Sequence, residues 1–356
     1  MSRDVIGMID NRQMNTHNAQ SPFATLNPTV LLDAIENLGL HPDGRLLALN
    51  SYENRVWQIG MDDEASGDAS MVVKVYRPER WSDAQILEEH AFVTEMVAAE
   101  LPVVAPLSID GTTLHHHAGF RFAAYPKQGG RAPEFAEPKV LEWMGRLLAR
   151  MHNVGAARPF VARETLGIET FGYEPRNWLL EHGVIPADLE AVWMDVADAA
   201  LDEVEACFGR VGTFTSLRLH GDCHAGNVLW TPERIGPKGE YFGGPHFVDF
   251  DDARSGPAIQ DLWMLLSGEP PEMAMQLAHV LRGYRLFREF DLAELQILEA
   301  LRTLRLLHYS AWLARRWNDP AFPIAFPWFD TPRYWQDRIL ELREQIARMQ
   351  EPCLVI

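Results

Sequence analysis

The chain has 356 residues, 47% hydrophobic and 23% charged, with a formal net charge of −18. That is apolar material for two packed units and too much for wholesale disorder. The acidic balance argues against a nucleic-acid binder or a protein of anionic membrane surfaces, since both need a basic face. Three widely spaced cysteines, Cys207, Cys223 and Cys353, with no CxxC, argue against a disulfide framework or a structural zinc site and fit a reducing cytoplasm.

Residues 1–25 are expected to form a flexible tail. The N-terminal stretch is rich in Asn, Gln, Ser and Thr, has no basic-then-apolar leader pattern and has no long apolar run. From Pro28, "PTVLLDAIENLGL" has helical spacing. Two strands in "RLLALNSYENRVWQIGM" flank a polar turn at 51–54, and "MVVKVY" supplies a third after the polar loop at 62–70. Ser82 is a candidate N-cap for the helix "SDAQILEEHAFVTEMVAAE". Two further strands are predicted over 101–109 and 119–126, with His115, His116 and His117 in a solvent-facing turn between them.

After Pro126 the texture becomes helical, with long helices predicted over 137–155, 185–212, 271–287, 292–317 and 331–350. The reading is an α+β chain of two lobes: a β-rich lobe over 26–125, a hinge near Ala124, Tyr125 and Pro126, and a mainly helical lobe over 126–356. No coiled-coil heptad or exposed apolar stripe stands out, so a monomer is expected.

The chemistry concentrates in "LRLHGDCHAGNVLW", residues 217–230. Asp222 and Asn227 stand at the D-x-x-x-x-N spacing of a phosphoryl-transfer loop, where a carboxylate accepts the proton of an attacking hydroxyl and an amide oxygen holds a metal on the phosphates. Farther on, "HFVDFDD" places Asp249 after an apolar run, with room for a β-hairpin between the two aspartates. Asn227 and Asp249 form the oxygen set that Mg²⁺ prefers. Lys74, among valines in the third strand, suits the α- and β-phosphates of ATP, with Glu89 or Glu88 of the next helix as its partner.

These motifs resemble the aminoglycoside phosphotransferase and choline kinase branch of the protein-kinase-like fold. "LHGDCHAGN" and "VDFDDARSGPAIQDLWML" carry the likeness, with Gly221 where ordinary protein kinases have Arg. "LNSYENRVWQI", "VVKVYRPERW", "ILEEH", "AWLARRW" and "DPAFP" extend it to bacterial serine/threonine protein kinases of the stress response. The resemblance implies Asp222 as catalytic aspartate, with Asp249 counted beside it. It implies Asn227 and Asp249 as Mg²⁺ ligands, and Ser51 and Lys74 as ATP contacts. Asp261 is then the brace of the catalytic loop. Cytoplasmic phosphorylation of protein serine and threonine, with autophosphorylation, is the implied activity. A kinase of small hydroxylated metabolites and a catalytically silent nucleotide-binding module are the alternatives.

The glycine-rich phosphate loop of protein kinases is absent, and "NSYENR" stands in its place. Ser51 and Asn54 side chains are expected to take over part of its work. Cys223 and His224 are read as loop residues rather than zinc ligands or a nucleophilic thiol, and His220 as a buttress of the loop. Asp251 and Asp252 are read either as aids to the metal or as solvated charge. The cluster of Trp312, Arg315, Arg316 and Trp317 is read as helix packing.

Overall fold

In the first lobe, one antiparallel sheet stands between two helices. The structure is a computed structural model that describes residues 21–62, 69–235 and 241–356. Helix α1 (Pro28–Glu36) starts at Asn27, whose side chain accepts from the Val30 N–H, with Pro28 in the first turn where no donor is needed. Strands β1 (Pro42–Leu49), β2 (Arg55–Met61) and β3 (Ser70–Val75) form a meander. Helix α2 (Asp83–Ala98) follows, opened by a Ser82–Gln85 capping box. Strands β4 (His115–His117) and β5 (Phe120–Pro126) complete the sheet in the order β1-β2-β3-β5-β4.

The period-2 alternation of β3 decides what the sheet offers each side. Met71, Val73 and Val75 join Leu31, Ile35, Ile59 and Phe122 in a core under α1. Val72 and Lys74 face the other way, into the cleft between the lobes. Helix α2 serves both lobes: Ile86 packs with Tyr76, Trp81 and Ala123, whereas Phe92, Val93 and Met96 belong to the core of the second lobe.

Three expectations are corrected. Residues 101–109 form no strand: Pro102 and Pro106 lack the donors of a ladder, and the segment instead straps the lobes together through Val104 N–H to Phe247 O (3.0 Å) and Phe247 N–H to Pro102 O (2.8 Å). The histidine triplet is a strand, not a turn. Ala118 and Gly119, both with positive φ, make the tight hairpin to β5, and His115 is buried against Phe122. Finally, residues 21–25 form a turn anchored by Phe23, which is buried, stacks on Phe120 and lies under the Arg55 guanidinium at 4.2 Å. Residues 1–20 of the expected tail lie outside the described residues.

The second lobe comprises α3 (Pro138–Ala156), α4 (Glu174–Glu181), α5 (Glu190–Val211), β6 (Leu217–Leu219), β7 (Val228–Ile235), β8 (Tyr241–Phe247), β9 (Arg254–Gly256), α6 (Ile259–Trp263), α7 (Pro270–Tyr284), α8 (Leu298–Arg315), α9 (Ala321–Ala325) and α10 (Pro332–Gln350). α4 falls in a stretch for which the sequence predicts no helix. β6 pairs with β9 and β7 with β8, both antiparallel. The expected hairpin between Asp222 and Asp249 is therefore β7–β8, although 236–240 of its turn lie outside the described residues. This pairing lays the loop after β6 beside the turn before β9. Among the described residues no helix is long and apolar enough to cross a membrane.

Candidate active site

The 220–227 loop is held from beneath by Asp261 of α6, a fully buried carboxylate. Asp261 accepts the His220 N–H at 3.0 Å and the Gly221 N–H at 2.9 Å, and it meets His152 Nε2 at 3.1 Å. Gly221 has φ +83, and a Cβ there would collide with the Asp252 carbonyl oxygen. Only glycine lets the loop pass so close to the 250–253 turn. His220 buttresses the loop: its ring lies 4.4 Å from that of Phe250, and Nε2 donates to Val248 O at 3.0 Å.

Asp222 and Asn227 then stand side by side. The Asn227 amide nitrogen donates to Asp222 O (2.9 Å) and Oδ2 (3.3 Å), which leaves its amide oxygen as the atom open to a cation. His224 Nδ1 accepts the Gly226 N–H at 2.9 Å, so Nε2 carries the proton and faces Asp222 Oδ2 at 3.3 Å. Arg305 of α8 meets Asp222 Oδ1 at 2.8 Å, an ion pair without hydrogen-bond alignment. Burial works to raise the Asp222 pKa, but the His224 hydrogen bond and the Arg305 charge outweigh it and bring it down to about 2. Cys223 is fully buried, and burial pushes its thiol well up, which removes it as a nucleophile.

Asp249 sits in the left-handed region (φ 60, ψ 62), a conformation that aspartate tolerates better than most residues. Its carboxylate is 54% exposed and reaches Lys74 Nζ at 2.9 Å. Lys74 also meets Asp251 Oδ1 at 3.1 Å. Burial works to lower the Lys74 pKa. The charges of Asp249, Asp251 and Glu89 reverse this and hold its pKa well above the ordinary lysine range.

The expected Glu89–Lys74 contact is not made. Glu89 is buried in the cleft wall but bonds Arg163 at 2.8 Å, because the turn after β8 delivers Asp249 and Asp251 to the lysine first. Burial, set against Lys74 and Arg163, leaves Glu89 at about 7. Glu88 faces away and accepts the backbone N–H groups of Val161, Ala162 and Arg163.

Ser51 lines the cleft and donates to Asn54 O at 3.1 Å. Asn54 is not placed for phosphate. It is buried, its amide donates to Asp251 Oδ2 at 3.0 Å, and its oxygen accepts the Arg77 N–H at 3.0 Å. Asp251 and Asp252 are not free solvated charges: Arg80 pairs with both, Lys74 with Asp251 and Arg254 with Asp252.

These groups line one cleft of about 670 Å³. Its inner end is apolar and drawn from both lobes, with Leu49, Val56, Val72, Pro106, Leu229 and Val248, a slot fit for a flat base. Its outer end carries Arg305, His308, Tyr309 and Trp312 of α8, which the sequence reading assigns to helix packing or leaves unassigned. Burial and the Arg254 charge bring His308 to about 3, so its ring is neutral. Among the described residues no three His, Cys, Asp or Glu side chains form a metal cage. An amide oxygen and a half-exposed carboxylate on one wall fit a hard cation that takes its remaining ligands from phosphate and water.

Residues 45–298 match the phosphotransferase enzyme family. Stress response kinase A of Escherichia coli (strain K12) is 45% identical over 338 residues, covering 95% of this chain and 98% of that protein. A protein of Salmonella typhimurium (strain LT2) named serine/threonine protein kinase RdoA is 45% identical over 332 residues, 93% of this chain and 96% of its own. Among solved structures, amicoumacin kinase hAmiN in complex with AMP-PNP, Ca²⁺ and Ami aligns with a TM-score of 0.65 at 19% identity, covering 90% of this chain and 93% of that one. The microcompartment-associated aminopropanol kinase gives 0.64 at 19%, covering 90% and 96%. At such identity the structural likeness speaks for the two-lobed kinase-like fold. The chain belongs to the phosphotransferase enzyme family.

Proposed function

We propose that the chain transfers the γ-phosphoryl group of ATP, bound with Mg²⁺, to serine and threonine hydroxyls of proteins, itself included, as a cytoplasmic monomer acting in a stress response. The observation that carries the acceptor class is a charge balance. Glu53, Glu89, Asp222, Asp249, Asp251 and Asp252 line the cleft, and each already faces an arginine or lysine of the chain. With Asp249 given to the metal, no other carboxylate among the described residues lining the cleft is left over to receive an ammonium group. An aminoglycoside or amino alcohol would lose the hydration of its cation without gaining a partner. A serine or threonine hydroxyl carries no such cost. The name of the Salmonella relative supports the same acceptor.

Asn227 and Asp249 would hold the metal, which supplies charge neutralisation on the phosphate oxygens. Lys74, kept charged by its carboxylate neighbours, offers its donors to the phosphates that are not transferred. The acceptor oxygen bonds the γ-phosphorus as the bond to the β–γ bridging oxygen breaks, and ADP leaves. Asp222, fixed by Asn227, His224 and Arg305, takes the hydroxyl proton. A carboxylate held at about 2 is a weak base. Its work is therefore mainly to aim the hydroxyl, and the proton moves as the oxygen gains its bond to phosphorus.

Incubation with γ-labelled ATP, an added serine- and threonine-rich protein and a panel of aminoglycosides and amino alcohols tests the acceptor. Label on protein hydroxyls, including those of the chain, is the expected result. Label on the amines alone would replace the protein acceptor with a small molecule. ATP binding without transfer would leave a silent nucleotide-binding module.

A further inference from the structure

The outer end of the cleft is closed by a second set of contacts between the lobes, remote from the connection at Pro126. Glu53, in the turn after Ser51, accepts Trp312 Nε1 at 2.6 Å and pairs with Arg316 across the lobes, and it meets Arg77 Nε of its own lobe at 2.9 Å. Asp319 is almost fully buried. It accepts Arg55 Nη2 through both carboxylate oxygens, at 2.9 and 3.0 Å, and pairs with Arg77. The Tyr52 ring meets Phe326 edge-on at 5.0 Å, and the Arg77 guanidinium lies 5.4 Å over Phe322. The 51–54 turn and the strand ends behind it are thus tied to residues 312–326. "AWLARRW" and "DPAFP", which the phosphoryl-transfer chemistry leaves without a part, supply the partners.

We propose that Glu53, Arg55 and Asp319 are positioning residues of the nucleotide site, through which segment 312–326 presets the 51–54 turn over the phosphate end of the cleft. The turn has no glycine, so its backbone cannot mould itself around phosphates as a glycine-rich loop does. A turn already in place spends no ordering entropy when the nucleotide arrives. Side chains from the opposite lobe hold it there. The same rod, α8, presents Arg305 to Asp222 and, about 10 Å along its axis, Trp312 to Glu53. One helix thereby sets both the base and the nucleotide turn.

The proposal rests on ATP as the ligand of the cleft and not on the identity of the acceptor. Its test is a calorimetric titration of Mg–ATP, with a melting curve, on the full chain and on two variants outside the cleft lining. Asp319→Asn keeps the shape and removes the charge. Arg55→Lys keeps the charge and removes the planar fork, and it stays informative if the first variant does not fold. Breaking a buried pair that fixes a binding loop should weaken ATP by about tenfold in Asp319→Asn, and by less in Arg55→Lys. Variants that melt earlier yet bind ATP with wild-type affinity would reduce the network to lobe docking and overturn the proposal. Wild-type protein that binds no ATP would instead remove the nucleotide reading, and the proposal with it.

Discussion

The two loops that meet in the cleft are held by different physics. The 220–227 loop takes its shape from its own lobe: Asp261 receives two consecutive backbone N–H groups, and Gly221 admits the neighbouring turn. The 51–54 turn is tied to the other lobe: Glu53 accepts Trp312 Nε1 and pairs with Arg316, and Arg55 and Arg77 behind the turn meet Asp319. Backbone bonds to one buried carboxylate give a fixed platform for the hydroxyl. Long side-chain pairs give a turn whose position depends on how the lobes sit.

The comparison breaks first at Asp222. Replacing it by Asn keeps the side-chain shape but removes the proton acceptor and the charge that Arg305 faces, so turnover should fall by about 10²–10⁴-fold while Mg–ATP affinity stays near wild type. Steady-state phosphorylation with a parallel ATP titration checks this. Gly221→Ala attacks the platform. With φ +83 and the Asp252 carbonyl in the way, the loop must shift, and a loss of about 1–3 kcal/mol is expected in a denaturant melt, together with lower turnover. The corresponding Gly183→Ala, at positive φ but in open space, should cost less.

The smallest expected effect is a pH shift. The Asp222 pKa is depressed in the folded chain, so the stability it contributes is present above the ordinary carboxylate pKa and is lost as pH falls toward about 2. Arg305→Gln removes one of the charges that depress it and leaves His224 in place. The acid limb of the turnover profile should then move to higher pH, by less than about one unit. An unmoved limb would mean that Arg305 contributes no charge to Asp222.

The sequence reveals the first of these loops far better than the second. Asp222, Asn227 and Asp249 are legible because loop chemistry fixes their spacing over a short stretch. Lys74 is legible because a charge among valines in a strand needs a cleft to face. The inner wall of the sheet follows from its alternation. What stays hidden is pairing at long range. Nothing in the spacing of "ILEEH" says that Arg163 takes Glu89 from Lys74, or that Asn54 is spent on Asp251 and Arg77. Arg305 is a single residue in helical texture without a signature of its own, and Asp319, although it opens "DPAFP", has no spacing that names Arg55 and Arg77 as its partners. The strand misplacement has a local cause: the valines of 101–109 speak for a strand, but Pro102 and Pro106 remove its donors, while Ala118–Gly119 is the turn that makes His115–His117 pair.

The central claim is that Lys74 and Asp249, 2.9 Å apart across the lobes, grip one nucleotide. Calorimetric titration of Mg–ATP into the wild type, Lys74→Met and Asp249→Ala tests it most directly. Saturable binding by the wild type, weakened by about tenfold or more in each variant, is the predicted result. Equal affinity in all three proteins would contradict it.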